Sequence, residues 1–171
     1  MTIFNPLRPS AAMAVALLAC TVFSLPTRPA HAQDIVPTSA DESQQTQAGV
    51  MAVENHWTLA EWTGDTAWLD RMLLPEYRSV NDDGAAHPKE AIVAGAAKRR
   101  GTSVDEAKLK WAAYQREHAT GSAVVMHGNT AIVSFYDTTL GPQKGVRSAD
   151  IFVYLDGHWH ALYSQHTAVH G

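Results

Sequence analysis

The chain has 171 residues, too few for two ordinary domains, and carries 13 Lys and Arg against 17 Asp and Glu. Its formal net charge of -4 leaves no basic footprint for nucleic acid. Cys20 is its one cysteine, so a disulfide framework within the chain is excluded.

Residues 1–32 read as a signal peptide. Arg8 precedes the uncharged apolar run Ala11 to Leu25, Pro26 breaks it, and Ala30-His31-Ala32 is a small-x-small cleavage site. The run is shorter than the about 20 residues that a membrane-spanning helix needs. The chain is therefore expected in the periplasm or outside the cell. Leu17-Leu18-Ala19-Cys20 offers an alternative, lipid anchoring at Cys20; without it the mature form has no membrane contact. Residues 33–49 are polar and aperiodic, a flexible leader.

Residues 50–171 form the expected single domain. Val50, Val53, Trp57 and Ala60 recur at helical spacing, with Gly64 to close the helix and Asp65 to cap the next. Ala67, Trp68, Met72 and Leu73 make that short second helix, stopped by Pro75. Tyr77 to Val80 is a short strand, and Asn81 to Gly84 a turn. Lys89 to Arg100 is a third helix. A fourth starts at the capping box Ser103-Val104-Asp105-Glu106 and runs to about Arg116. Beyond Gly121 the period becomes two. Ala123 to His127 and Thr130 to Leu140 flank Gly128-Asn129; Val146 to Leu155 and His158 to Thr167 flank Asp156-Gly157. Helices followed by an antiparallel meander predict an α+β fold, with N-terminal helices packed on a strongly curved antiparallel sheet.

Several short motifs carry a resemblance. Gly64-Asp65 is followed by Leu69, Leu73 and Tyr77, and Lys89-Glu90-Ala91-Ile92 opens the third helix. Gly128 to Val133, Asp150 to Val153, Asp156-Gly157-x-Trp159 and Ser164-Gln165-His166 complete the series. In that order they resemble the nuclear-transport-factor-2-like superfamily of ketosteroid isomerases and SnoaL-like polyketide cyclases, in an exported branch. The resemblance implies a cone-shaped, cystatin-like roll around a pocket, and a homodimer formed through the sheet. The fourth helix is longer than the usual segment there. Ketosteroid isomerase activity is not implied, because the first helix offers His56, Trp57 and Trp62 where those enzymes place a tyrosine.

A two-residue turn at Asp156-Gly157 pairs Tyr154 with Trp159, Phe152 with Ala161, Asp150 with Tyr163 and Ser148 with Gln165. One sheet face is then aromatic near the turn (Tyr154, Trp159, Phe152) and polar beyond it (Asp150, Tyr163, Gln165). Asp150 is the candidate general acid or base, Tyr163 its catalytic partner and Gln165 a substrate contact. The competing reading gives Asp150 a structural hydrogen bond or ion pair. Trp57, Trp62 and Tyr77 line the pocket from the helical side, or pack the core. The aliphatic opposite face, with Ile151, Val153, Leu155 and Leu162, favours a homodimer.

His158-x-His160 puts two imidazoles on one side of a strand, but no third ligand is fixed at matching spacing, so no metal is expected. His166 is a weaker rim candidate. Dinucleotide, P-loop, serine-hydrolase and zinc-protease signatures are missing, and no cofactor is expected. The function read from these features is an exported pocket for a small apolar molecule. Any chemistry would be cofactor-free isomerase, cyclase or dehydratase chemistry; the alternative is a non-catalytic binding or association module.

Overall fold

A computed structural model describes residues 41–168. The signal peptide, Cys20 and residues 33–40 of the leader lie outside them. Four helices precede and interrupt the strands: α1 (Gln47–Thr63), α2 (Thr66–Met72), α3 (Lys89–Ala97) and α4 (Val104–Glu117). The strands are β1 (Leu73–Val80), β2 (Ala86–Pro88), β3 (Thr120–His127), β4 (Thr130–Asp137), β5 (Val146–Leu155) and β6 (His158–His166). They form one sheet in the order β2-β1-β6-β5-β4-β3. The class is α+β. The sheet is mixed rather than wholly antiparallel, because β1 runs parallel to β6.

Local signals explain most boundaries. Thr46 caps α1, its hydroxyl accepting from the Gly49 amide at 3.0 Å. Gly64 ends that helix at φ 76, where a Cβ would meet the Arg100 amide nitrogen at 2.6 Å. Asp65 and Ser103 cap α2 and α4 as expected. Pro75 does not stop α2, which already ends at Met72; it lies within β1. There the pairing with β6 skips from Leu73 to Arg78, and a residue without an amide hydrogen fits the gap. The third helix ends at Ala97, short of Arg100, and β4 ends at Asp137, short of Leu140.

Two corrections concern position. Leader residues 41–46 dock on the domain, and α1 begins at Gln47, before Val50. The Trp159 indole donates to the Gln44 carbonyl at 2.9 Å, and the Tyr154 hydroxyl donates to the Ser43 carbonyl. Glu42 pairs with His56 at 2.7 Å. Polar side chains hid this docking, which uses the leader's backbone carbonyls and one carboxylate.

The second correction is the last hairpin. Tyr154 faces Trp159 and Phe152 faces Ala161, as the turn dictates. A bulge follows: Ile151 faces Tyr163, Asp150 faces Ser164, Ala149 faces Gln165 and Ser148 faces His166. Leu162 is the extra residue, and every later β6 side chain changes face.

The core lies between the helices and one sheet face, around Val50, Val53, Trp57, Leu69, Tyr77, Phe152 and Trp159. The ring edges of Tyr77 and Phe152 meet Trp57 at centroid separations of 5.8 Å and 5.9 Å. Among the described residues no helix is long and apolar enough to cross a membrane.

The docked leader is testable by truncation. A chain starting at Gln47 loses the α1 cap and the bond to Trp159, each worth about 1 kcal/mol. It should melt roughly 5 °C or more below a chain starting at Asp41 in differential scanning calorimetry. Equal melting temperatures would show the docking to be incidental.

Candidate functional site

A cavity of 440 Å³ opens between α1, α4 and the inner sheet face. The helical side contributes Glu54, Trp57 and Glu61 from α1, with Trp111, Tyr114 and Gln115 from α4. The sheet contributes Tyr77 and Ser79 from β1, Arg147 and Asp150 from β5, and Ser164 and His166 from β6. The long fourth helix therefore builds part of the rim.

The chemistry concentrates around Asp150, which is 8% exposed. Its Oδ1 accepts from the Ser164 hydroxyl, and Ser164 in turn accepts from the Tyr77 hydroxyl at 2.7 Å. Tyr77 Oη, Ser164 Oγ and Asp150 Oδ1 thus form a buried chain of three oxygens. Burial pushes the Asp150 carboxyl up to about 7; the Ser164 bond opposes this and the Glu61 charge adds to it. Burial also raises the Tyr77 phenol, so it stays protonated and donates.

Glu54 is the other central acid. It is 8% exposed, and its Oε2 has no hydrogen-bond partner among the described residues. Burial raises its carboxyl well above the ordinary value, and repulsion from Asp150 and then Glu61 raises it further. Glu61, also raised by burial, accepts from the Trp57 indole at 2.9 Å and is eased by Arg99. The Trp111 Nε1 donor is likewise buried without a partner among the described residues. An isolated buried polar group is costly, so two such groups on one cavity wall mark it as built for polar contact.

Basic groups at the cavity are engaged. Arg147 is paired with Asp137. His87 shares a hydrogen bond with Asn81 at 3.1 Å, and His166 one with Ser79 at 3.3 Å. Burial lowers the His166 imidazole, against the charge of Asp82.

Of the expected site residues, Asp150, Trp57 and Tyr77 line the cavity. Tyr163 and Gln165 do not: the bulge turns them to the other face, where the Tyr163 hydroxyl donates to Gln165 Oε1 at 2.7 Å. Ser164 and His166 take their places. Phe152 is fully buried in the core, while Trp159 and Tyr154 hold the leader. Trp62 stands behind the wall, edge-on to Trp111 at 6.3 Å and under Arg99. His160 bonds the Arg71 carbonyl at 3.1 Å. Among the described residues no group of three or more His, Cys, Asp or Glu is placed to hold a metal ion.

Glu54 was missed, although the sequence carries a signal for it. It falls four residues after Val50 and three before Trp57, on the buried stripe of α1.

No protein-family model matches the chain. No curated protein matches it either. Solved structures do. An NTF-2 like protein of unknown function from Silicibacter pomeroyi is 14% identical, over 69% of this chain and 91% of that one, with a TM-score of 0.49. An NTF2-like protein from Cytophaga hutchinsonii is 17% identical, over 72% and 99%, with a TM-score of 0.46. A third, from Rhodospirillum rubrum and described as of unknown function in nutrient uptake, is 13% identical over 71% and 98%, with a TM-score of 0.47. The chain is thus similar to NTF2-like proteins, and the likeness concerns the fold alone.

Two measurements test the site. Both central acids hold their protons more tightly when folded, so stability falls as pH rises above the ordinary carboxylate value, for Asp150 up to about 7. His166, lowered by burial, acts in the opposite sense just below its ordinary value. Thermal melts from about pH 5 to about pH 8 should therefore decline less in Glu54→Gln and Asp150→Asn than in the parent. Parallel pH curves for all three would remove the buried-acid assignment.

The bulge has its own test. Ser164→Ala deprives the Asp150 carboxylate of its donor and raises the carboxyl, by about one unit or more, in carbon-detected NMR titration. Tyr163→Phe should leave that titration unchanged. A shift only in Tyr163→Phe would restore the unbulged pairing.

Proposed function

We propose that the chain is an exported pocket protein that takes up a small, largely apolar molecule and performs cofactor-free proton transfer on it. Asp150 is the acid or base, and the Tyr77–Ser164 chain holds it in position. Isomerase, cyclase and dehydratase reactions share this requirement for one well-placed proton acceptor or donor.

One observation carries the reading: a buried carboxyl pushed up to about 7 sits on the wall of a 440 Å³ cavity. Such a group changes protonation near neutral pH, as a proton-transfer residue must. Trp57 and Trp111 line the cavity rather than fill it, which disfavours a purely associative module. Export rests on the signal-like residues 1–32.

The sheet face turned away from the helices presents Val125, 65% exposed, and Ile132, 39% exposed, beside Ile151 and Val153. In this proposal a second copy of the chain covers that face.

A thermal-shift screen with steroids, polyketides, terpenoids and aromatic acids tests the pocket, because a ligand of the folded state raises the melting temperature. Turnover of any hit should fall about 100-fold or more in Asp150→Asn, which should still fold and bind it. Turnover unchanged in Asp150→Asn would end the proton-transfer reading. Sedimentation should give a dimer for the parent and a monomer for Val125→Lys; a monomeric parent would end the dimer proposal.

A further inference from the structure

The cavity wall separates its two central acids by their partners. Asp150 has Ser164 and, through it, Tyr77. Glu54 has an oxygen with no partner among the described residues, on a side chain only 8% exposed. We infer that Glu54 is the anchor for a positively charged amine, so that the molecule taken up is an organic ammonium with an apolar body. This rests on the pocket reading above and names its ligand class.

Three features exclude the other charge types. First, Glu54, Glu61 and Asp150 share one cavity, whereas its arginine, Arg147, is already paired with Asp137. An anion would meet three acids and no unpaired arginine. Second, among the described residues the acids do not form a group of three or more placed to hold a metal ion, which favours an organic cation. Third, the neighbouring walls are aromatic. Trp57, Tyr77, Trp111 and Tyr114 line the cavity, and ring faces attract cations in desolvated places.

A bound ammonium also resolves the electrostatic conflict on the wall. Glu54 ionises against the ammonium, whose charge offsets the repulsion between Glu54 and Asp150. Recognition then falls to Glu54 on α1 and proton transfer to Asp150 on β5.

The test compares isosteric probes by calorimetry and thermal shift on the folded chain. One set is phenethylamine, phenethyl alcohol and phenylacetate; the other is tryptamine, tryptophol and indoleacetate. The amines should bind about tenfold or more tightly than the alcohols, and the carboxylates more weakly still. Glu54→Gln, which removes an unpartnered buried acid, should fold at least as well as the parent. It should weaken the amines about tenfold or more and leave the alcohols unchanged. Alcohols or carboxylates that match the amines, or amines indifferent to Glu54→Gln, would overturn the assignment. Uncharged probes that bind and depend on Asp150 would leave the pocket reading standing while the ammonium falls. Failure of every probe at millimolar concentration would count against both.

Discussion

Side chains alternate along a strand, so one extra residue changes the face of everything beyond it. In β6 that residue is Leu162, opposite the junction of Ile151 and Phe152. The rest of the site depends on it. Without the bulge Asp150 would face Tyr163, and the buried chain from Tyr77 would have no middle member. With it, Ser164 stands between Tyr77 and Asp150, and His166 reaches Ser79. The bulge also keeps Trp159 before it and Ser164 after it on one sheet face, so the same strand holds the leader and serves the cavity.

The second constraint is the cost of two buried acids. Each unit by which burial displaces a carboxyl pKa upward costs about 1.4 kcal/mol at a pH where the group would otherwise be ionised. Natural domains are stable by only about 5 to 15 kcal/mol, so a buried acid is a real cost. An apolar residue at Glu54 would complete the stripe from Val50 to Trp57. Packing alone does not account for acids at these two positions.

How much of this the sequence reveals depends on how local each signal is. Caps at Asp65 and Ser103 and turns at Gly128 and Asp156 are set by a few neighbouring residues, and they fall where the sequence places them. Asp150 was legible because an acid among aromatic and aliphatic strand residues must be satisfied or functional. Ser164 was not, because a bulge depends on how two strands and β1 pack. The leader was not, because Trp159 and Tyr154 bind its carbonyls, and carbonyls carry no sequence signal. Trp62 shows the reverse error: an aromatic residue at a plausible position turned behind the wall instead of into the cavity.

Gly121 shows how tightly the cavity's strands are set. It faces Tyr136, and a Cβ there would come within 2.4 Å of the ring. The ring lies over the glycine, beside Thr120 and Ser122 of the cavity wall. Thr120, Ser122 and Phe135 line the cavity, so the Gly121–Tyr136 contact lies on the opposite face of the same strands, where a larger residue would push the ring or the strand. The Leu162 bulge sets which β6 side chains reach the cavity, and this close approach backs β3 and β4 from the other side. Asp150 is held on this sheet by the Ser164 hydroxyl, whereas Glu54 on α1 keeps an oxygen without a partner among the described residues, so the two acids meet the same burial cost with unequal support.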